Sequence, residues 1–178
     1  MESAWQYCQS LASGRITPRI APPFFGVVVT HDEVMALLRR ESAMEEYYKI
    51  RELWKRHSIA EDNRDLPGLI STLAEDCVYE LVPANKSWKG HAGATQFYME
   101  LLSAFPDIKF DLTDIVIGPQ GVCEEANVMG THNGTWLGAP PTGQRVNFQV
   151  VIFFPWNPAK QKFAGEKIYL HPESILSR

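Results

Sequence analysis

The strongest constraint on the fold lies in the second half of the chain, where four long segments show the alternating apolar pattern of β-strands. They cover residues 108–117, 122–136, 146–154 and 163–170, and turn-rich sequence such as GAPPTG (138–143) separates them. Successive side chains of a strand point to opposite faces of a sheet, and a run of such segments is typical of a meander. This half of the chain therefore predicts an antiparallel sheet.

The first half predicts helices instead. Thr30 and Glu33 have the spacing of a capping box, and the sequence from there to about Asp62 is expected to be helical. Two further helices are expected, one after Asp65 and one between Gly90 and Pro106, with a short strand at 77–82 between them. Helices followed by strands favour an α+β fold, with the helices on one face of the sheet.

Two regions are expected along the chain. Residues 1–43 are interpreted as an N-terminal extension that is partly helical, and residues 44–178 as one α+β domain. The apolar run FFGVVV (24–29) could dock on the domain or on a partner, or could be vector-encoded or mis-started sequence.

The charge balance argues against nucleic-acid binding. Lys and Arg number 17 against 21 Asp and Glu, and the formal net charge is −4. No apolar run approaches the ~18 residues of a membrane span. The three cysteines have no CxxC spacing, which favours reduced thiols. We therefore expect a cytoplasmic protein that binds neither nucleic acid nor membranes.

Four segments together resemble a known family. AEDCVYELVP, WKGHAGATQFYMELLSAFPD, GTHNGTWLGAPPTG and GEKIYLHPESIL, in this order, resemble the SnoaL-like polyketide cyclases and ester cyclases of the nuclear-transport-factor-2-like superfamily. The resemblance covers about residues 44–178. It implies a cone-shaped, curved antiparallel sheet wrapped around the N-terminal helices, with a pocket between them. Members of the group are often dimers that pack through the sheet.

The chain departs from this family at the acid/base positions. The resemblance implies a histidine on the strand after the PPTG loop and an aspartate on the final strand, and these slots fall on Ile152 and Ile168. An isoleucine cannot transfer a proton, so the cyclase mechanism does not carry over. A second departure is His171, where relatives commonly carry an aspartate.

Two residues are the first candidates for catalysis. His132 matches the family motif GTHNG, and a histidine is a natural general acid/base near neutral pH; alternatively it is a buried residue bonded to a backbone carbonyl. Glu166 lies two residues before Ile168 and so shares its face of the strand, where a carboxyl group would be desolvated. Alternatively, Glu166 lies at the rim and pairs with Lys162 or Lys167.

The third catalytic candidate is Glu80, which alternates with Tyr79 so that one of the two is expected to point inward. His57 and Glu61 are four residues apart on one helix face and could orient each other or bind a metal. Two ligands alone are weak evidence, so we predict neither a metal nor a cofactor.

A mainly apolar pocket of ~300–1,000 Å³ is expected between helices and sheet. Its predicted ligand-binding residues are Trp54, Tyr79, Trp88, Phe97, Tyr98, Trp136, Phe148, Val150, Ile152 and Ile168.

Two functions remain open at this point. The first is a cofactor-free cyclase, isomerase or lyase that acts on a small apolar carbonyl compound by acid/base chemistry. The second is a non-catalytic small-molecule binding or assembly module with a degenerate cyclase site. A homodimer is expected in either case, because Val151 and Phe153 give their strand a second apolar face.

Overall fold

The computed structural model describes residues 30–170 of the 178-residue chain. The apolar run 24–29 and His171 lie outside the described residues. The chain divides into two units between Leu38 and Arg39. Within residues 30–170, no helix is both long enough and apolar enough to cross a membrane.

The first unit contains helix α1 (His31–Leu38), which begins with the predicted capping box. Glu33 Oε2 accepts a hydrogen bond from the Thr30 backbone N–H at 2.6 Å, and Thr30 Oγ1 accepts one from the Glu33 N–H at 3.3 Å. The segment to about Asp62, which was predicted to be helical, is interrupted once. Helical structure stops at Leu38 and resumes after Ala43, whose backbone is extended with ψ 145°.

The second unit has three α-helices among its described residues: α2 (Met44–Asp62), α3 (Leu66–Ile70) and α4 (Gly90–Ala104). Helix α2 buries Ile50, Trp54 and His57, which recur at three- to four-residue steps and so share one face. Asp65 caps α3 by accepting a hydrogen bond from the Gly68 N–H at 3.0 Å.

The described part of this unit also has six strands: β1 (Leu73–Leu81), β2 (Lys86–Lys89), β3 (Lys109–Gly118), β4 (Gly121–Thr131), β5 (Arg145–Asn157) and β6 (Lys162–Tyr169). They form one curved sheet in the order β2-β1-β6-β5-β4-β3. This arrangement confirms the predicted α+β class. Every neighbouring pair is antiparallel except β1 and β6, which run parallel because the β3–β5 meander returns the chain beside β1.

Strand β4 is shorter than the sequence suggested. It ends at Thr131 instead of continuing to Trp136. The Asp107 carboxylate accepts hydrogen bonds from the Thr131 N–H at 2.6 Å and from its hydroxyl at 2.8 Å. The Asn133 N–H then donates to the Ala104 carbonyl at 2.9 Å. These contacts turn the chain towards the end of α4, so His132 lies in a loop.

Alternation along the central strands decides what faces the helices. Val150, Ile152 and Phe154 are buried on one side of β5, and Glu166 and Ile168 are buried on β6. Ile152 and Ile168 are paired across the two strands, so these side chains share one face. The inner face of the sheet is thus apolar, with a carboxyl group embedded in it.

Candidate active site

The buried carboxyl group of Glu166 is the centre of a polar cluster between the sheet and the helices. Glu166 is 2% exposed. Its Oε1 accepts hydrogen bonds from the hydroxyls of Tyr79 and Tyr98, each at 2.8 Å. His57 Nε2 lies 3.1 Å from the same oxygen. Four separate elements (β6, β1, α4 and α2) thus each contribute one side chain to this cluster.

His57 is held from its other side as well. Its Nδ1 lies 2.6 Å from Thr72 Oγ1, and the Thr72 hydroxyl donates to the Leu69 carbonyl at 2.6 Å. The imidazole ring lies edge-on to the rings of Phe154 and Phe163, with centroids 5.3 and 6.1 Å away. Packing and hydrogen bonds together fix the orientation of the ring towards Glu166.

A glycine sets the position of Glu166. Gly165 has φ +125°, and a Cβ atom at this residue would lie 1.9 Å from the Val78 carbonyl oxygen. The β1–β6 register shifts between Leu73 and Val78, and from there Tyr79 pairs directly with Glu166. The close approach of the two backbones, which only glycine permits, therefore brings the phenol and the carboxylate side by side.

Two further carboxyl groups lie close enough to Glu166 for its charge to raise their pKa values. Burial raises the pKa of Glu61 to about 8; the charge of Glu166 adds to this rise and His57 opposes it. Burial likewise raises the pKa of Glu124 to about 8, and Glu166 adds to it. The Trp54 indole beside Glu124 opposes this rise. Both carboxyls are therefore mostly protonated at neutral pH.

The two tyrosines stay protonated too. Burial raises the pKa of Tyr79 and of Tyr98 well above the usual value of 10, and the charge of Glu166 raises both further. Each phenol can therefore act only as a hydrogen-bond donor to Glu166 at physiological pH.

An apolar cavity adjoins the cluster. Thirteen of its lining residues are apolar, and the remaining two are Glu61 and Glu166. Its volume is ≈30 Å³, counted as space for the centres of water molecules, which is room for about two waters. The cavity is thus narrower than the expected ~300–1,000 Å³. A larger ligand requires the lining side chains to move.

The predicted pocket residues divide into two groups. Those that line the cavity are Phe97, Trp136, Phe148, Val150, Ile152 and Ile168. The other four lie around it: Tyr79 and Tyr98 bond to Glu166, and Trp54 lies beside Glu124. Trp88 is half-buried and packs edge-on against Phe97, with centroids 5.0 Å apart.

Of the three predicted catalytic residues, only Glu166 lies in the cavity wall. His132 is fully buried, but it is not among the described residues that line the cavity. Its ring stacks on Phe105 at 5.1 Å, and its Nδ1 lies 3.3 Å from Thr142 Oγ1. Glu80 lies on the opposite face of β1 from Tyr79, because alternate residues of a strand point apart, and its carboxylate is 3.9 Å from Lys167 Nζ.

The sequence-based prediction missed Glu124 and did not include the contact of His57 with Glu166. Glu124 occupies the buried face of β4 between Val122 and Ala126, and the alternating pattern of that strand was the signal. His57 and Glu61 do share a helix face, but His57 bonds to Glu166. Within residues 30–170, no group of three or more His, Cys, Asp or Glu side chains is arranged to hold a metal ion.

One comparison with known proteins identifies the family of the chain. The sequence model of the SnoaL-like polyketide cyclases matches residues 49–162. No curated protein sequence matches the chain.

Solved structures show the same fold. A SnoaL-like protein from Jannaschia Sp. CCS1 is 17% identical with a TM-score of 0.62, over 78% of this chain and 99% of that one. AclR from Streptomyces galilaeus is 23% identical with a TM-score of 0.59, over 72% and 93%. IdmH from Streptomyces antibioticus is 18% identical with a TM-score of 0.59, over 72% and 96%.

Proposed function

The chain belongs to the SnoaL-like polyketide cyclase family, and we propose that it is a cofactor-free acid/base catalyst that acts on a small apolar carbonyl compound. One observation carries this proposal. Glu166 is a buried carboxylate with three hydrogen-bonding partners, and it forms part of the wall of an otherwise apolar cavity. An ionisable group in such a place is costly for the fold and is typical of catalytic sites.

The two carboxyl groups in the cavity wall have complementary roles in this proposal. Glu61, with its pKa raised to about 8, is mostly protonated at pH 7 and donates a hydrogen bond to the substrate carbonyl oxygen. Glu166 removes a proton from the adjacent carbon. The C–H bond breaks, an O–H bond forms on Glu166, and the electron pair moves to the carbonyl oxygen as an enolate.

Two outcomes follow from the same enolate. When the substrate has a β,γ double bond, the enolate is a dienolate, and return of the proton from Glu166 to the γ carbon completes an isomerisation to the α,β-unsaturated compound. Attack of the enolate on a second carbonyl group of the same molecule, with Glu61 protonating the new alkoxide, forms the C–C bond of a cyclisation. Transfer of the abstracted proton from Glu166 to Glu61 then restores both groups. Both sequences balance without an oxidant, a reductant or a cofactor.

The test uses 2-tetralone, an apolar ketone with acidic protons beside its carbonyl group. Wild-type protein in D₂O is expected to accelerate deuterium exchange at that carbon, as followed by ¹H NMR. Glu166→Gln is expected to lower the enzymatic rate by about 10²–10⁴-fold. Glu80→Gln is the matched control, because the same change on the outer face of β1 leaves the cavity intact.

A wild-type exchange rate in Glu166→Gln would show that Glu166 is not the base. Circular dichroism checks that each variant is folded. If Glu166→Gln is not folded, Glu166→Asp takes its place in the test, because it keeps the carboxyl group but moves it away from the substrate.

The second candidate function is a non-catalytic binding or assembly module. It is favoured by Ile152 and Ile168, which occupy the cyclase acid/base slots and line the cavity. Wild-type protein that binds 2-tetralone by calorimetry but leaves its exchange rate at the buffer value supports this function instead.

We further propose that the protein is a cytoplasmic homodimer that packs through the outer face of its sheet. Val116, Cys123 and Phe153 are register partners on β3, β4 and β5 and point away from the cavity. Val116 is 67% exposed. A row of apolar side chains across three strands is a typical interface feature. Light scattering that reports a monomer at high micromolar concentration contradicts this.

A further inference from the structure

Thr72 contacts the imidazole nitrogen of His57 that does not face Glu166. We propose that Thr72 is a positioning residue that holds His57 with a proton on Nδ1, so that only Nε2 exchanges a proton with Glu166. The expected effect of Thr72 on catalysis rests on the proposed function. Its expected effect on the protonation of the His57 ring does not.

The direction of the Thr72 hydrogen bonds follows from the donors available. A hydroxyl has a single proton. Thr72 Oγ1 lies 2.6 Å from the Leu69 carbonyl oxygen, which can only accept, so the hydroxyl proton points there. The contact of 2.6 Å with His57 Nδ1 then needs its proton from the ring. Thr72 is 1% exposed, so water does not offer an alternative partner.

The opposite direction, with the Thr72 hydroxyl donating to His57, leaves no proton for the contact between Thr72 and the Leu69 carbonyl. If the Thr72 hydroxyl donated to Nδ1, its oxygen would face the Leu69 carbonyl oxygen at 2.6 Å with no hydrogen between them. The two oxygens would repel each other at that distance, and the Leu69 carbonyl would keep only the Thr72 backbone N–H as a donor. The geometry therefore favours the Nδ1–H form of His57.

With one proton held on Nδ1, a second proton can be shared between His57 Nε2 and Glu166 Oε1, which lie 3.1 Å apart. On Nε2 it gives an imidazolium beside a carboxylate, and on Oε1 it gives a neutral pair with the same number of protons. Tyr79 and Tyr98 both donate to the same Oε1 atom. Thr72 thus acts through His57 to make Nε2 the ring nitrogen that shares a proton with Glu166, the proposed base.

The test reads the tautomer directly. Protein labelled with ¹⁵N-histidine is examined by ¹H–¹⁵N correlation NMR without any ligand, and the His57 signal is assigned with His57→Gln. Wild-type is expected to show a protonated Nδ1. Thr72→Val keeps the shape but cannot accept, so its ring is expected to change to the neutral Nε2–H form. Thr72→Ser is expected to restore the wild-type signal.

Turnover gives the second readout. Thr72→Val is expected to lower kcat for 2-tetralone exchange by about 10- to 100-fold with KM unchanged, and Thr72→Ser to recover it. Thr113→Val, the same substitution at an exposed threonine on β3, is the matched control.

A neutral Nε2–H ring in wild-type, or an Nδ1–H ring retained in Thr72→Val, overturns the proposal. So does a Thr72→Val variant that is less stable but keeps its tautomer and its kcat. The tautomer is read without substrate. If it changes as expected while wild-type shows no exchange activity, the hold of Thr72 on the ring is supported and the proposed function fails.

Discussion

Replacing Glu124 with glutamine is expected to reduce the pH dependence of the free energy of unfolding. Glu124 is 8% exposed, and burial raises its pKa from 4.5 to about 8. In the unfolded chain this burial is lost and the pKa is ordinary. Between these two pKa values the folded protein binds more protons than the unfolded chain, so stability falls as pH rises. The stabilising contribution is complete below about pH 4.5 and is lost as the pH rises through about 8.

The size of the effect follows from the shift. One proton difference changes the free energy of unfolding by about 1.4 kcal/mol per pH unit. Between pH 5 and pH 7.5, Glu124 therefore accounts for a loss of about 3 kcal/mol. Glutamine has nearly the same size and carries no charge, so the variant should lose that much less over the interval. Some pH dependence remains, because Glu61 has a raised pKa as well.

Urea denaturation at pH 5 and pH 7.5, followed by tryptophan fluorescence, measures this difference. Glu125→Gln is the control, because Glu125 is the next residue of β4 and is exposed on the opposite face. The reasoning is refuted if Glu124→Gln keeps the wild-type difference between the two pH values, or if Glu125→Gln reduces it equally.

Three further predictions concern the cluster and its surroundings. Tyr98→Phe removes a donor to a buried carboxylate and should lower the free energy of unfolding by about 1.5–3 kcal/mol, while exposed Tyr169→Phe changes it little in the same urea titration. Gly165→Ala should abolish soluble folded protein or lower Tm sharply. Gly138→Ala, also at positive φ but with no atom within 4 Å, should be milder. His132→Asn should lower Tm but leave 2-tetralone exchange within about threefold of wild-type, since His132 lies outside the cavity wall; a larger loss of rate would restore His132 as a catalytic residue.

Local periodicity was sufficient to predict much of the sheet. Alternation along β6 placed Glu166 on the same face as Ile168, and alternation along β1 required that Tyr79 and Glu80 point apart. Such predictions succeed because the face of a strand residue is fixed by its immediate neighbours. The break before α2 was harder to predict, because no proline or glycine interrupts residues 39–43.

Contacts between residues that are far apart in the sequence could not be predicted in the same way. His57 and Glu166 are 109 residues apart, and they meet because helix α2 places its buried face, with His57, beside β6. His132 shows the converse. Its motif matched the family, but its ring packs on Phe105 beneath a loop that the alternating pattern had extended as strand. A motif identifies a position in the family, while the role of its side chain depends on packing across the fold.

The place of β6 in the sheet also fixes the order in which the protein can be completed. Synthesis produces His57, Tyr79 and Tyr98 at 109, 87 and 68 residues before Glu166, their common acceptor. β6 lies between β1 and β5, and its arrival joins the β1–β2 hairpin to the β3–β5 meander. Contacts between residues this distant in sequence carry a loop-closure cost and slow folding. A nascent chain without β6 therefore has two parts of a sheet that are not joined. Its His57, Tyr79 and Tyr98 side chains also lack Glu166 as their hydrogen-bond acceptor. Closure of the sheet and assembly of the proposed base are one and the same event.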